Sequence, residues 1–175
     1  MNLTWNKLTS VFTIAVCVAL VPVIAAAADT VTLPNGAKLD LSAKCPVCKM
    51  QVGSSKLGPA ALVFKDGTVK GFDSTGDLFR YLLEPKKYGF EPGNVQHAYV
   101  SQYGTKNFID AKQAVYVVGS DVKGSMGREV VAFAKKEAAE QFMKAHHGKK
   151  VVPHREVVLN DLRPKKGLLK MQHGH

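Results

Sequence analysis

Apolar and polar residues first fall into a regular order at Val31-Thr32-Leu33 and Ala37-Lys38-Leu39-Asp40-Leu41. These two short alternating runs flank Pro34-Asn35-Gly36, which predicts a small β-hairpin. Ala60-Ala61-Leu62-Val63-Phe64 and Thr68-Val69-Lys70-Gly71-Phe72 flank Asp66-Gly67, a second two-strand signal. Ser74, with Asp77 three residues on, has the form of a capping box. It predicts a helix through Leu78, Phe79, Tyr81, Leu82 and Leu83, stopped by Glu84-Pro85. Lys86 to Asn94 reads as a linker, and Gln96 to Tyr103 as a strand.

Ala114-Val115-Tyr116-Val117-Val118 is a buried-strand run that Gly119 is expected to end. Ser120 to Gly127 is expected to be a loop, carrying Met126, and Glu129 to Phe133 the returning strand. Lys135 to His147 predicts a helix with Ala138, Ala139, Phe142 and Met143 on one stripe, capped by Gly148. Val151 to Leu159 gives a last strand, and 160–175 a flexible, basic, histidine-containing tail.

The pattern repeats. Phe72, Leu78, Tyr81 and Leu82 recur at constant spacing as Phe133, Ala139, Phe142 and Met143, each set spanning a strand end and the helix after it. Two strand-strand-helix (ββα) units, each burying its helix on its own antiparallel sheet, predict an α+β domain over residues 29–159.

Residues 1–28 carry a different signal. One lysine, an apolar run from Leu8 to Ile24 and the small residues Ala25 to Ala28 have the order of a secretory signal peptide. A retained membrane anchor is the alternative, but Pro22 and the Ala-x-Ala site favour cleavage and a periplasmic location. Val16 stands before Cys17 where a lipoprotein signal places a small residue, so a lipid anchor is not expected. Cleavage would remove Trp5 and leave tyrosine fluorescence alone. It would also remove Lys7, taking the net charge from +10 to +9. Such a balance suits an acidic partner or an anionic membrane surface, and export argues against nucleic acid. A solvated basic surface accounts for the spread-out lysines equally well.

Export leaves Cys45 and Cys48 as the two cysteines of the mature chain, too few for a disulfide scaffold. They lie in Lys44-Cys45-Pro46-Val47-Cys48-Lys49-Met50, where Pro46 presets a tight turn. If the chain then runs extended, Cys48 and Met50 project from one face. Two thiols and a thioether make a soft-metal site, best matched to Cu(I). The other readings of Cys-Pro-x-Cys are half a zinc site, a redox pair and a structural disulfide. A zinc site needs a second cysteine pair, and the residues after Cys48 are poor material for the helix that activates a redox cysteine. The histidines His97, His146, His147, His154, His173 and His175 carry weaker signals as packing, capping or tail residues. Asp73, Asp77 and Asp110 show no spacing that suggests acid–base catalysis, and no nucleophile triad or phosphate loop is present, so no enzymatic turnover is expected.

Cys48-Lys49-Met50, then Phe108 to Ser120, then Gly124-Ser125-Met126-Gly127-Arg128-Glu129 resemble the NosL family of nitrous oxide reductase accessory proteins. Phe133, Ala139, Phe142, Gly148, Val151 and Val152 continue the likeness. The resemblance implies two ββα-type units related to the organomercurial lyase core. It also implies an exported Cu(I)-binding metallochaperone, whose partner is apo nitrous oxide reductase or its maturation machinery. It assigns ligand roles to Cys48, Met50 and Met126. Lysine stands at position 49 where the family usually has glycine, and Cys45 is an extra thiol, either a further ligand or a disulfide partner. The alternative function is a periplasmic thiol–disulfide or heavy-metal-scavenging protein using Cys45 and Cys48.

Overall fold

The computed structural model describes residues 29–163, so the expected signal peptide and the tail beyond residue 163 lie outside the described residues. Strands β1 (Thr30–Thr32) and β2 (Lys38–Asp40) form the expected hairpin. β3 (Ala60–Phe64) and β4 (Val69–Phe72) pair antiparallel and lead into helix α1 (Thr75–Leu83), followed by the short α2 (Pro85–Tyr88) within the expected linker. β5 (Val95–Ser101) and β6 (Phe108–Asp110) complete a four-stranded sheet in the order β4-β3-β5-β6. β7 (Val115–Gly124), β8 (Gly127–Phe133), helix α3 (Lys136–Ala145) and β9 (Lys150–Pro153) form the second unit, its sheet ordered β8-β7-β9. All strand ladders are antiparallel, and the fold is α+β, as the sequence pattern predicts.

The long apolar runs are explained by burial on both faces. In β3, Ala61 and Val63 face the hairpin residues Leu33 and Leu39, with Val52, while Ala60 and Leu62 face the main core. In β7, Val117 faces Ala139 and Phe142 of α3, while Tyr116 and Val118 join that same main core. The main core lies between the two sheets and contains Leu78, Phe79 and Tyr81 of α1. Only α3 therefore keeps to its own sheet. Helix α1 packs against β3, β4 and β8, and every residue from Thr75 to Tyr81 is buried. Strand periodicity within one unit cannot show a helix shared between two.

Four further expectations shift. Gly119 (φ +78) does not end β7. The left-handed residue sits in a bulge, and pairing resumes at Lys123↔Arg128 and Gly124↔Gly127. The left-handed residue closing α3 is His147 (φ +51) rather than Gly148, whose N–H bonds Met143 O at 2.8 Å. Gly148 is required instead for space, since a Cβ there would lie 2.6 Å from Val117 Cγ1. The last strand is short, and 154–156 and 159–162 are 3-10 turns. The second of these buries Leu162, so the chain stays ordered past residue 160. Among the described residues, no helix is long and apolar enough to cross a membrane.

Candidate metal centre

The segment around Cys45 is a closed knuckle. Lys44 and Gln51 form an antiparallel bridge. Inside it the Cys45 N–H donates to Met50 O (2.8 Å) and the Lys49 N–H to Cys45 O (3.0 Å). Closing so short a loop forces Lys49 into the left-handed region, at φ +65. The extended path expected from Cys48 to Met50 is thus not adopted, and a shared strand face does not bring these residues together. Lys49 bears a steric cost in that conformation that a glycine would not.

Packing fixes where the knuckle sits. A Cβ on Gly71 of β4 would come within 2.8 Å of Leu39 and Val52, so glycine lets Val52 seat directly on the sheet. The knuckle that ends just before Val52 is thereby held beside the start of α1. There Ser74 is the N-cap, its hydroxyl accepting from the Asp77 N–H at 3.3 Å. Only this half of the capping box forms, because the Asp77 carboxylate is used elsewhere. Its Oδ2 accepts from the Cys45 thiol at 3.5 Å, and its Oδ1 pairs with Arg80 Nη1 at 3.0 Å.

Cys45, Cys48 and Asp77 thus form one cluster, with a ligand atom of each within 4.8 Å of the others. Cys45 and Asp77 are fully buried and Cys48 is half-buried, and both cysteines are free thiols. Burial and then hydrogen bonding to Asp77 push the Cys48 thiol from 9.0 up to about 12, against the opposing pull of the Met50 N–H. Met50 and Met126 stand at the surface, 46% and 45% exposed. They are two of the four large hydrophobic side chains exposed among the described residues, and such exposure offers accessible soft donors.

Met126 lies at the tip of the β7–β8 hairpin, where Gly127 (φ +97) supplies the left-handed position. Its connection to the knuckle runs through Arg80. Arg80 Nη2 donates to Met126 O (3.4 Å), Arg128 O (3.1 Å) and Leu162 O (3.0 Å), while Nη1 pairs with Asp77. Beside this pair Glu129 is buried, its Oε1 accepting from the N–H groups of Gly76 and Val130. Burial raises the Glu129 carboxyl from 4.5 to about 7.

Among the described residues, no histidine joins the thiol cluster, and His173 and His175 lie outside those residues. His154 packs against Phe79 and Tyr116, His146 pairs with Asp121 at 3.1 Å, and His97 stacks on Tyr99. Asp77, Arg80 and Glu129 are the site residues that spacing arguments missed. One signal was present: Asp77 and Arg80 stand three apart on a helix otherwise made of apolar and small residues, where an unpaired charge is not tolerated.

Fold and site define a small α+β protein that carries two thiols and a carboxylate in one cluster, with the half-buried Cys48 on its outer side. The NosL family model matches residues 36–161, and the chain belongs to that family. The copper-binding lipoprotein NosL of Stutzerimonas stutzeri is 30% identical over 62% of this chain, which spans 58% of that relative's length. The crystal structure of the copper chaperone NosL from Shewanella denitrificans is similar at TM-score 0.60 and 32% identity, covering 69% of this chain and 93% of that one. The solution structure of the apo-NosL protein from Achromobacter cycloclastes matches at TM-score 0.47 and 23% identity, over 66% of this chain and 94% of that one.

Proposed function

We propose that this protein is an exported Cu(I) metallochaperone that carries copper as cargo and performs no turnover of its own. The observation that supports it best is the pair of free thiols, Cys45 and Cys48, held within 4.8 Å of each other, with Cys48 only half-buried, inside a NosL-family fold. In this reading Cys48 and Met50 hold the ion, Cys45 adds a thiolate from the buried side, and Met126 adds a thioether from the hairpin tip. Cu(I) is stable with two or three sulfur ligands, so it fits a site without a closed four-ligand cage. Exposed thioethers at the rim give a recipient's ligand a route to enter and displace them. The donor set therefore suits release as well as capture.

Membership of the family points to the recipient: apo nitrous oxide reductase or its maturation machinery, met in the periplasm. The rival thiol–disulfide reading asks for an activated thiolate, whereas the Cys48 thiol is held strongly protonated.

Titration of the reduced protein with Cu(I) against a competing chelator tests the binding step. Tight one-to-one binding is expected, weakened severely by Cys48→Ser. Equal affinity in that variant would end the assignment. Delivery is tested by mixing the loaded protein with apo nitrous oxide reductase and following the appearance of its copper absorption bands.

A further inference from the structure

We propose that Arg80 is a positioning residue for the copper site, a buried strut that holds the Met126 tip at a fixed distance from the cysteine knuckle. The inference rests on the copper reading above and adds to it a residue that need not touch the ion.

Arg80 carries a full charge on a helix whose buried stretch runs from Thr75 to Tyr81, and it is itself 8% exposed. Burying an arginine costs several kcal/mol unless every donor finds a partner. A leucine there would fill space at less cost. Arg80 does what a leucine could not, because one rigid planar group reaches three segments far apart in sequence. Nη1 is fixed to Asp77, which is bonded in turn to Cys45, and Nη2 to the carbonyls of Met126, Arg128 and Leu162. Because the fork is planar, a set position at Asp77 sets the position of the carbonyls at the tip.

A second, independent observation concerns the hairpin that bears the tip. The β7–β8 ladder shifts register between Val118 and Lys123, so regular pairing is interrupted before it reaches Gly124↔Gly127. Beyond the bulge two pairs, Lys123↔Arg128 and Gly124↔Gly127, join the strands at the end of the hairpin. Glu129 reinforces the same junction. Its carboxylate bonds the Gly76 N–H at the start of α1 and occupies the space a side chain would need at Gly76 or Gly124. The tip that bears Met126 is therefore anchored to α1, and through Asp77 to the thiols.

The test is a double-mutant cycle on Cu(I) affinity in the reduced, full-length mature protein, using Arg80→Lys and Met126→Leu, with thermal unfolding of each variant. R80K keeps the charge opposite Asp77, but one ammonium cannot span Asp77 and the tip carbonyls together. Each single variant should lose about tenfold to a hundredfold in affinity, the range for removing support from a metal ligand. The double variant should lose no more than Met126→Leu alone. X-ray absorption should count one sulfur fewer around copper in both single variants. Losses that add in the double variant would overturn the strut and leave the copper reading standing. A wild-type protein that binds no Cu(I) would overturn both, whereas equal binding after M126L would overturn the strut and leave the thiol-based copper reading standing. The wild type gives a check that does not depend on variants folding. Its Arg80 Nη–H resonances should be individually resolved, with couplings to the carbonyl carbons of Arg128 and Leu162, whereas a freely rotating guanidinium would refute the strut.

Discussion

Glutamine in place of Glu129 isolates one buried carboxyl group and its effect on stability across pH. The residue is 2% exposed, and burial lifts its pKa from 4.5 to about 7, with Asp77 pushing the same way. The Val130 N–H, the Ser74 hydroxyl and the Arg80 guanidinium pull it back down, and burial prevails. Since the folded protein holds this proton more tightly than the unfolded chain, it binds more protons between the two pKa values. Stability from this group is therefore complete below about pH 4.5 and is lost as pH rises through about 7. At about 1.4 kcal/mol per tenfold change in proton affinity, the gap from 4.5 to about 7 corresponds to about 3 kcal/mol. Glu129→Gln keeps an oxygen for the Gly76 and Val130 N–H groups but cannot ionise. Urea unfolding of the apo protein from pH 4.5 to 8, followed by tyrosine fluorescence, should show wild-type stability falling by about 3 kcal/mol relative to the variant. The change should be steepest between the two pKa values, at about pH 6, and should level off above about 7. Cys48 stays protonated throughout this range and does not contribute. A wild-type-minus-variant difference that stays level across the window would refute the account.

Three further outcomes are expected. Ser74→Ala removes the N-cap acceptor of α1 and should cost about 1 kcal/mol or somewhat more in urea unfolding, as N-cap deletions do. Lys49→Gly relieves a left-handed lysine and should be neutral or raise the thermal midpoint by a few degrees, on the order of 1 kcal/mol less what the freer unfolded chain gives back. A clear fall in the midpoint would show that the knuckle is not closed as described. The Cys48 thiol, held near 12, should react with iodoacetamide at pH 8 about a hundredfold more slowly than a model thiol. Asp77→Asn should recover part of that rate, because hydrogen bonding to the Asp77 carboxylate helps hold the proton.

Most secondary structure is legible along the chain because its causes are local. Asp66-Gly67 makes a turn, Ser74 caps a helix and Glu84-Pro85 stops it, whatever the rest of the chain does. The three-residue strand β6 lacks such a signal, being too short and too half-buried to show alternation. Reading β7 as ending at Gly119 treated a left-handed glycine as a terminator, whereas a neighbouring strand can absorb it in a bulge. The sulfur residues Cys45, Cys48, Met50 and Met126 are also visible from spacing and resemblance. Their arrangement is not. Whether Met50 shares a face with Cys48 depends on the φ of Lys49, which loop closure decides.

By itself, then, the sequence determined where strands, helices and soft donor atoms lie, because periods of two and 3.6 residues and turn chemistry act over a few residues. The tertiary structure alone decided that α1 serves both sheets, that Asp77, Arg80 and Glu129 are buried, and that Asp77 lies against the Cys45 thiol. The reason is that a charge is tolerated in a core only against partners. Here those partners, from Cys45 to Arg128 and Leu162, come from distant parts of the chain that only folding brings together.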